Sequence, residues 1–174
     1  MKIAKYFSRF EWGLWLSSMI LIILFFSLFD GRNHLTLIAS LIGVTSLIFA
    51  AKGNPIGPFL MISFSVLYGI ISYSFFYYGE MITYLGMTLP MSVFALISWL
   101  KNPYQNNKSE VKVNRISKKE TVFAFVLTAA VTVIFYFILK AFNTANIIPS
   151  TISVTTSFLA VYLTFRRGPT FALA

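Results

Sequence analysis

Six apolar runs, separated by short charged connections, organise this sequence. No charged residue falls within 12–29, 35–51, 55–79, 81–100, 121–139 or 148–165. Each run has roughly the 17–25 residues that an α-helix needs to cross about 30 Å of hydrocarbon. Apolar side chains follow one another almost continuously, as in SSMILIILFFSLF, and do not alternate over about ten residues as barrel strands would. A helix closes its own backbone hydrogen bonds, which lipid cannot do for it. The pattern predicts an all-α, polytopic transmembrane helical bundle with six helices.

The connections set an orientation. With the N-terminus inside, the inner segments hold Lys2, Lys5, Arg9, Lys52, Lys101, Lys108, Lys112, Arg115, Lys118, Lys119, Arg166 and Arg167. The outer segments hold only Arg32 and Lys140, an imbalance that short loops show when the basic ones stay in the cytoplasm. Trp12, Trp15, Trp99 and Tyr104 fall near the inner interface and Tyr73, Tyr77 and Tyr78 near the outer one, as belt residues do. The first run is too long for a signal peptide and no A-x-A-like site follows it, so it is a retained helix.

Composition agrees. Of 174 residues, 57% are hydrophobic and only 11% charged, and a soluble fold of this size could not hide that much apolar surface. The net charge of +9 would fit nucleic acid, but six of the cations lie in KNPYQNNKSEVKVNRISKKE, a short loop between two membrane helices. There they orient the chain and meet anionic lipid heads, so no nucleic-acid partner is expected. Cys is absent, which excludes disulfides, thiolate metal sites and cysteine nucleophiles.

The connections also divide the chain. Residues 1–34 hold the N-terminus, an additional first helix and an outer turn. Helices two to four, over 35–100, are joined by very short turns and form one three-helix unit. The basic loop spans 101–120, and a linker helix with its outer loop spans 121–147, opened by the capping-box pattern Ser117-Lys118-Lys119-Glu120. The last helix starts near Pro149-Ser150. Helix two ends in Lys52-Gly53-Asn54-Pro55 and helix six in Arg166-Arg167-Gly168-Pro169, both running outside to inside. This predicts a second unit parallel to the first, as in SWEET-type sugar transporters. A second unit of equal length would run well past Ala174, so 148–174 is expected to be the first helix of an incomplete repeat in a C-terminally truncated chain.

Little of the sequence suggests catalysis. His34 is the single histidine, no set of metal ligands is in view, and no nucleophilic triad can be assembled. Neither enzyme activity, a metal nor another cofactor is expected. Glu80 is the only acid in the turn before helix four. No span carries an ionisable relay near its middle, which favours a facilitator of a neutral or weakly charged solute over a charge-coupled pump. Tyr84, Thr88, Ser92, Ala95 and Trp99 recur at spacings of three and four and share one helical face, with Pro90 interrupting the ladder between them. Helix three adds Ser65, Tyr68, Gly69 and Ser72. Tyr84, Ser92 and Trp99, with Tyr68 behind them, are the candidate solute contacts, although small and hydroxylic residues also serve helix packing. The Ser and Thr residues of helix six occupy several faces and mark a helix surrounded by protein more than a site.

Several segments resemble the PnuC family of bacterial vitamin transporters: GEMITYLGMTLPMSVFALISWLKNPY (79–104), KSEVKVNRISKKE (108–120), the turn AAKGNPIGPF, and LTFRRGPTFALA (163–174). The likeness covers roughly 35–174 and rests on the order and spacing of these segments. It implies uptake of nicotinamide riboside, an NAD precursor, by facilitated diffusion across the bacterial cytoplasmic membrane, with trapping by a cytoplasmic kinase. It also implies a SWEET-like three-plus-one-plus-three fold, with only the first six helices present here, in a homo-oligomer that is commonly trimeric. Members often carry Gln or Asn after the Leu-Pro-Met of helix four, where this chain has Ser92. A carrier of another vitamin or nucleoside, such as thiamine or riboflavin, and a non-transporting membrane subunit are the alternatives.

Overall fold

The computed structural model describes residues 6–29, 33–105, 107–144 and 146–168, with only the backbone of Asn107 and Lys108. Lys2, Lys5, Asp30, Arg32 and Pro169 to Ala174 lie outside the described residues. Six helices follow one another: α1 (Arg9–Phe29), α2 (His34–Ala51), α3 (Ile56–Ser74), α4 (Tyr78–Lys101), α5 (Lys118–Ala141) and α6 (Ile147–Phe165). All six are long and apolar enough to cross a bilayer, and the chain is a multi-pass membrane protein.

Local chemistry explains the helix starts. Ser8 and Glu11 cap α1 reciprocally, the Ser8 N–H donating to Glu11 Oε2 at 2.6 Å and the Glu11 N–H to Ser8 Oγ at 3.2 Å. Ser117 caps α5 by accepting from the Glu120 N–H at 3.3 Å. Helix α6 opens two residues before Pro149, because a proline is tolerated in a first turn whose N–H groups have no helical partner.

The helices alternate in direction. The start of α1, the ends of α2, α4 and α6, and the start of α5 gather at one end, which is also the basic one. There Lys52 pairs with Glu11 at 2.9 Å, and Arg166 pairs with Glu120. The Glu120 hydrogen bond holds the Arg166 guanidinium above its ordinary range, while burial pushes that of Arg167 down. The connection after α4, expected as a plain loop, instead folds into an antiparallel ribbon of β1 (Pro103–Tyr104) and β2 (Asn107–Val111). Gln105, at φ 45°, turns the chain back. The emerging strand then straps the basic end: Val111 N–H donates to Gly53 O at 2.9 Å, Lys112 N–H to Asn102 O at 2.9 Å and Asn114 N–H to Arg167 O at 2.8 Å.

Packing is uneven in a way that lipid explains. Helix α1 lies against α2 and buries no residue, while α5 presents Val122, Phe123, Phe125, Val126, Val133, Ile134 and Phe137 outward. Such apolar faces suit hydrocarbon. The interior lies between α4, α5 and α6, where Met87, Ala124, Phe135, Leu139, Val154, Phe158 and Tyr162 cluster. Helices α2 and α3 meet closely because Gly57 has no Cβ to strike Ala50, and Ser46 donates to the Gly57 carbonyl at 2.9 Å.

Candidate functional site

Helix α4 is regular at both ends and π-helical over Thr83–Thr88. Pro90 has no N–H, and its ring would press on the carbonyl four residues back, so a wider turn here relieves a conflict that a regular helix would keep. The Leu89 N–H accordingly reaches the carbonyl of Tyr84, five residues back. A wide turn accommodates one extra residue, which rotates the flanking halves by about 100° relative to a regular helix.

Beside this segment, at the end opposite the basic strap, a cavity of about 510 Å³ opens between α4, the end of α5 and the first half of α6. That volume falls in the range of about 300–1,000 Å³ typical of small-ligand sites. Tyr77, Glu80, Thr83, Tyr84 and Thr88 form one wall; Thr144 and Asn146 form the floor of the α5–α6 turn; Ser150, Ser153 and Ser157 form the facing wall. Spacings of three and four place those serines on one face of α6.

Hydrogen bonding separates these hydroxyls from their neighbours. Thr151, Thr155 and Thr164 each donate to the carbonyl four residues back, at 2.7–2.9 Å. Ser150, Ser153 and Ser157 make no side-chain hydrogen bond to any described residue, and neither does Tyr84. Glu80 has no ion pair among the described residues, whose two pairs use Glu11 and Glu120. No Lys, Arg or His is among the described residues that line the space.

The four sequence-predicted contacts separate. Tyr84 lines the cavity. Tyr68 packs behind it, with ring centroids 4.8 Å apart, and Phe64 completes the cluster. Ser92 is buried below the π-helical turn and donates to the Thr88 carbonyl at 2.7 Å. Trp99 is buried at the basic end, where its Nε1–H donates to the Thr164 carbonyl at 2.7 Å. The face expected to run from Tyr84 to Trp99 is thus divided: its upper half meets the cavity, and Ser92, Ala95 and Trp99 form a buried seam. Sequence reasoning passed over Ser150, Ser153 and Ser157. Their i, i+3, i+7 spacing was the available signal, obscured by the threonines interleaved with them.

Comparison with known proteins bears on this arrangement. The model of a family described as nicotinamide mononucleotide transporter matches residues 33–173. The chain belongs to that family. Membership makes it a membrane transporter and not an enzyme. Among solved structures the chain resembles one titled "Crystal structure of the Vitamin B3 transporter PnuC", with a TM-score of 0.73 and 21% identity over 94% of this chain and 71% of that one. At that identity the likeness is one of fold. No curated protein matches the chain.

Proposed function

We propose that the chain carries nicotinamide riboside, and that the solute occupies the cavity between α4, α5 and α6. The observation that supports this most is the convergence on one space of the Tyr84 ring and three serine hydroxyls that have no side-chain hydrogen bond among the described residues. A riboside needs donors and acceptors for its sugar hydroxyls and a flat apolar surface for its ring, and the walls offer both. Passage is by facilitated diffusion, a reading supported by spans whose described middles hold no Asp, Glu, His, Lys or Arg, and a cytoplasmic kinase would retain the product. The basic end faces the cytoplasm of a bacterium, following the charge asymmetry of the loops.

The parallel course of α2 and α6 and their like-built ends support a SWEET-like three-plus-one-plus-three organisation, with α5 as the inverting helix. A homo-oligomer, a trimer in the resembled family, is part of the same proposal.

The mononucleotide named in the family description is the second reading. It is disfavoured by a lining that has one carboxylate and no cation among the described residues, and by the first turn of α6, where Pro149 has no N–H and the Ser150 N–H already donates to the Asn146 carbonyl at 3.1 Å. Uptake of labelled nicotinamide riboside into proteoliposomes, with unlabelled mononucleotide, thiamine, riboflavin and uridine as competitors, tests this. Saturable uptake displaced by the riboside well before the others is expected. Equal displacement by the mononucleotide would favour the second reading, and no flux with a co-purifying partner would favour a subunit role.

A further inference from the structure

Glu80 is the one charged side chain among the described residues that line the cavity, and no described residue neutralises it. It stands in the first turn of a membrane-spanning helix and is only partly exposed. A carboxylate there is available to a positive partner that enters the cavity. The described residues that line the cavity with it supply hydroxyls and aromatic faces but no positive charge. Tyr84 shares its wall, four residues on and one turn away, with Tyr77 on the approach. Carboxylates and tyrosine faces both attract cations, the latter through the ring quadrupole.

We propose that Glu80 selects for positive charge on the solute: its carboxylate is the counter-ion for a ring cation of the N-ribosylated pyridinium class, held over Tyr84. This rests on the riboside reading above and goes beyond it, because a site built from hydroxyls and a ring alone would take neutral ribosides of the same shape equally well. An acid in the first turn of α4 also complements the helix dipole. That role is blind to the charge of the solute, so the two can be told apart.

Nicotinamide riboside and its dihydro form share the sugar and the carboxamide, but added hydride makes the second neutral. Initial uptake rates of both into proteoliposomes would be measured for the unaltered chain, Glu80→Gln and Glu80→Asp. The unaltered chain should prefer the cation. Glu80→Gln should lower cation uptake about tenfold at limiting concentration while leaving the neutral form within about twofold, and Glu80→Asp should keep the preference. An equal fall for both forms would reduce Glu80 to a structural acid, and a preference surviving in Glu80→Gln would place the selection elsewhere; either overturns the proposal. Uptake of neither riboside by a folded, unaltered chain would overturn the transport reading itself, and this inference with it.

Discussion

Gly53 and Arg167 hold the same place at the ends of α2 and α6. Each is the left-handed residue of its turn, at φ 66° and 56°, and each carbonyl accepts from the strap, Gly53 from Val111 and Arg167 from Asn114. The hydrogen bonds that close the two helices also correspond. Gly53 N–H donates to Ala50 O and Asn54 N–H to Phe49 O; Arg167 N–H donates to Thr164 O and Gly168 N–H to Leu163 O. Helices α3 and α5 end in the same motif, with Phe76 and Asn143 left-handed, so it is the docking of one strap on both that sets α2 and α6 apart.

Opposite responses to substitution follow from that pair. Gly53→Ala places a Cβ on a left-handed residue and should lower stability by about 1–2 kcal/mol. Arg167→Gly removes the same penalty, together with a buried Nε that has no hydrogen-bond partner, and should not lower stability. Thermal unfolding in detergent reads both; a lower midpoint for Arg167→Gly would show that its guanidinium bond to the Lys112 carbonyl matters more than the strain.

Trp99 is expected to serve assembly. Trp99→Phe loses the hydrogen bond to Thr164 that joins α4 to α6 and should cost about 1–2 kcal/mol, with little change in the apparent KM for the riboside. A raised KM at unchanged stability would move Trp99 back among the solute contacts.

Pro90→Ala permits a regular ladder through Thr83–Thr88. The turn would tighten, Tyr84 and Thr88 would rotate away from the facing serines, and uptake should fall severalfold without loss of stability. Unchanged uptake would mean that the wide turn is not what presents Tyr84.

The serines predict graded losses. Ser153→Ala or Ser157→Ala should each raise the riboside KM about threefold to tenfold, the worth of one hydrogen bond, while stability stays within about 0.5 kcal/mol. Thr155→Ala, which instead removes the 2.9 Å contact with Thr132 between α5 and α6, should show the reverse.

Much of the fold was legible because lipid imposes a simple rule. Charged residues bound the spans, so the runs 35–51 and 148–165 differ by a residue or less at each end from α2 and α6. The Ser117 cap of α5 was readable because that interaction is local, but the Glu120 carboxylate, which the capping-box pattern would return to the Ser117 N–H, pairs instead with Arg166. The cavity was less so. Tyr84 could be found from helical periodicity, but grouping it with Ser92 and Trp99 assumed a constant 3.6-residue repeat, which the π-helical turn breaks between them. The unpartnered serines of α6 stand out only once the bonds of Thr151 and Thr155 are seen, and a sequence carries no such bonds. The strap that leaves the ribbon depends on the carbonyls of Gly53 and Arg167, which lie far away along the chain.

The cavity's role can be read directly because the chain contains no cysteine. Ser153→Cys and Ser157→Cys, made singly, would be labelled with a small thiol reagent in proteoliposomes, with Thr156→Cys as a control on the same helix but off the cavity. Saturating nicotinamide riboside is expected to slow labelling at 153 and 157 severalfold and to leave 156 unchanged. Labelling that the riboside does not alter at 153 and 157, or slows equally at all three, would contradict a solute site between α4, α5 and α6.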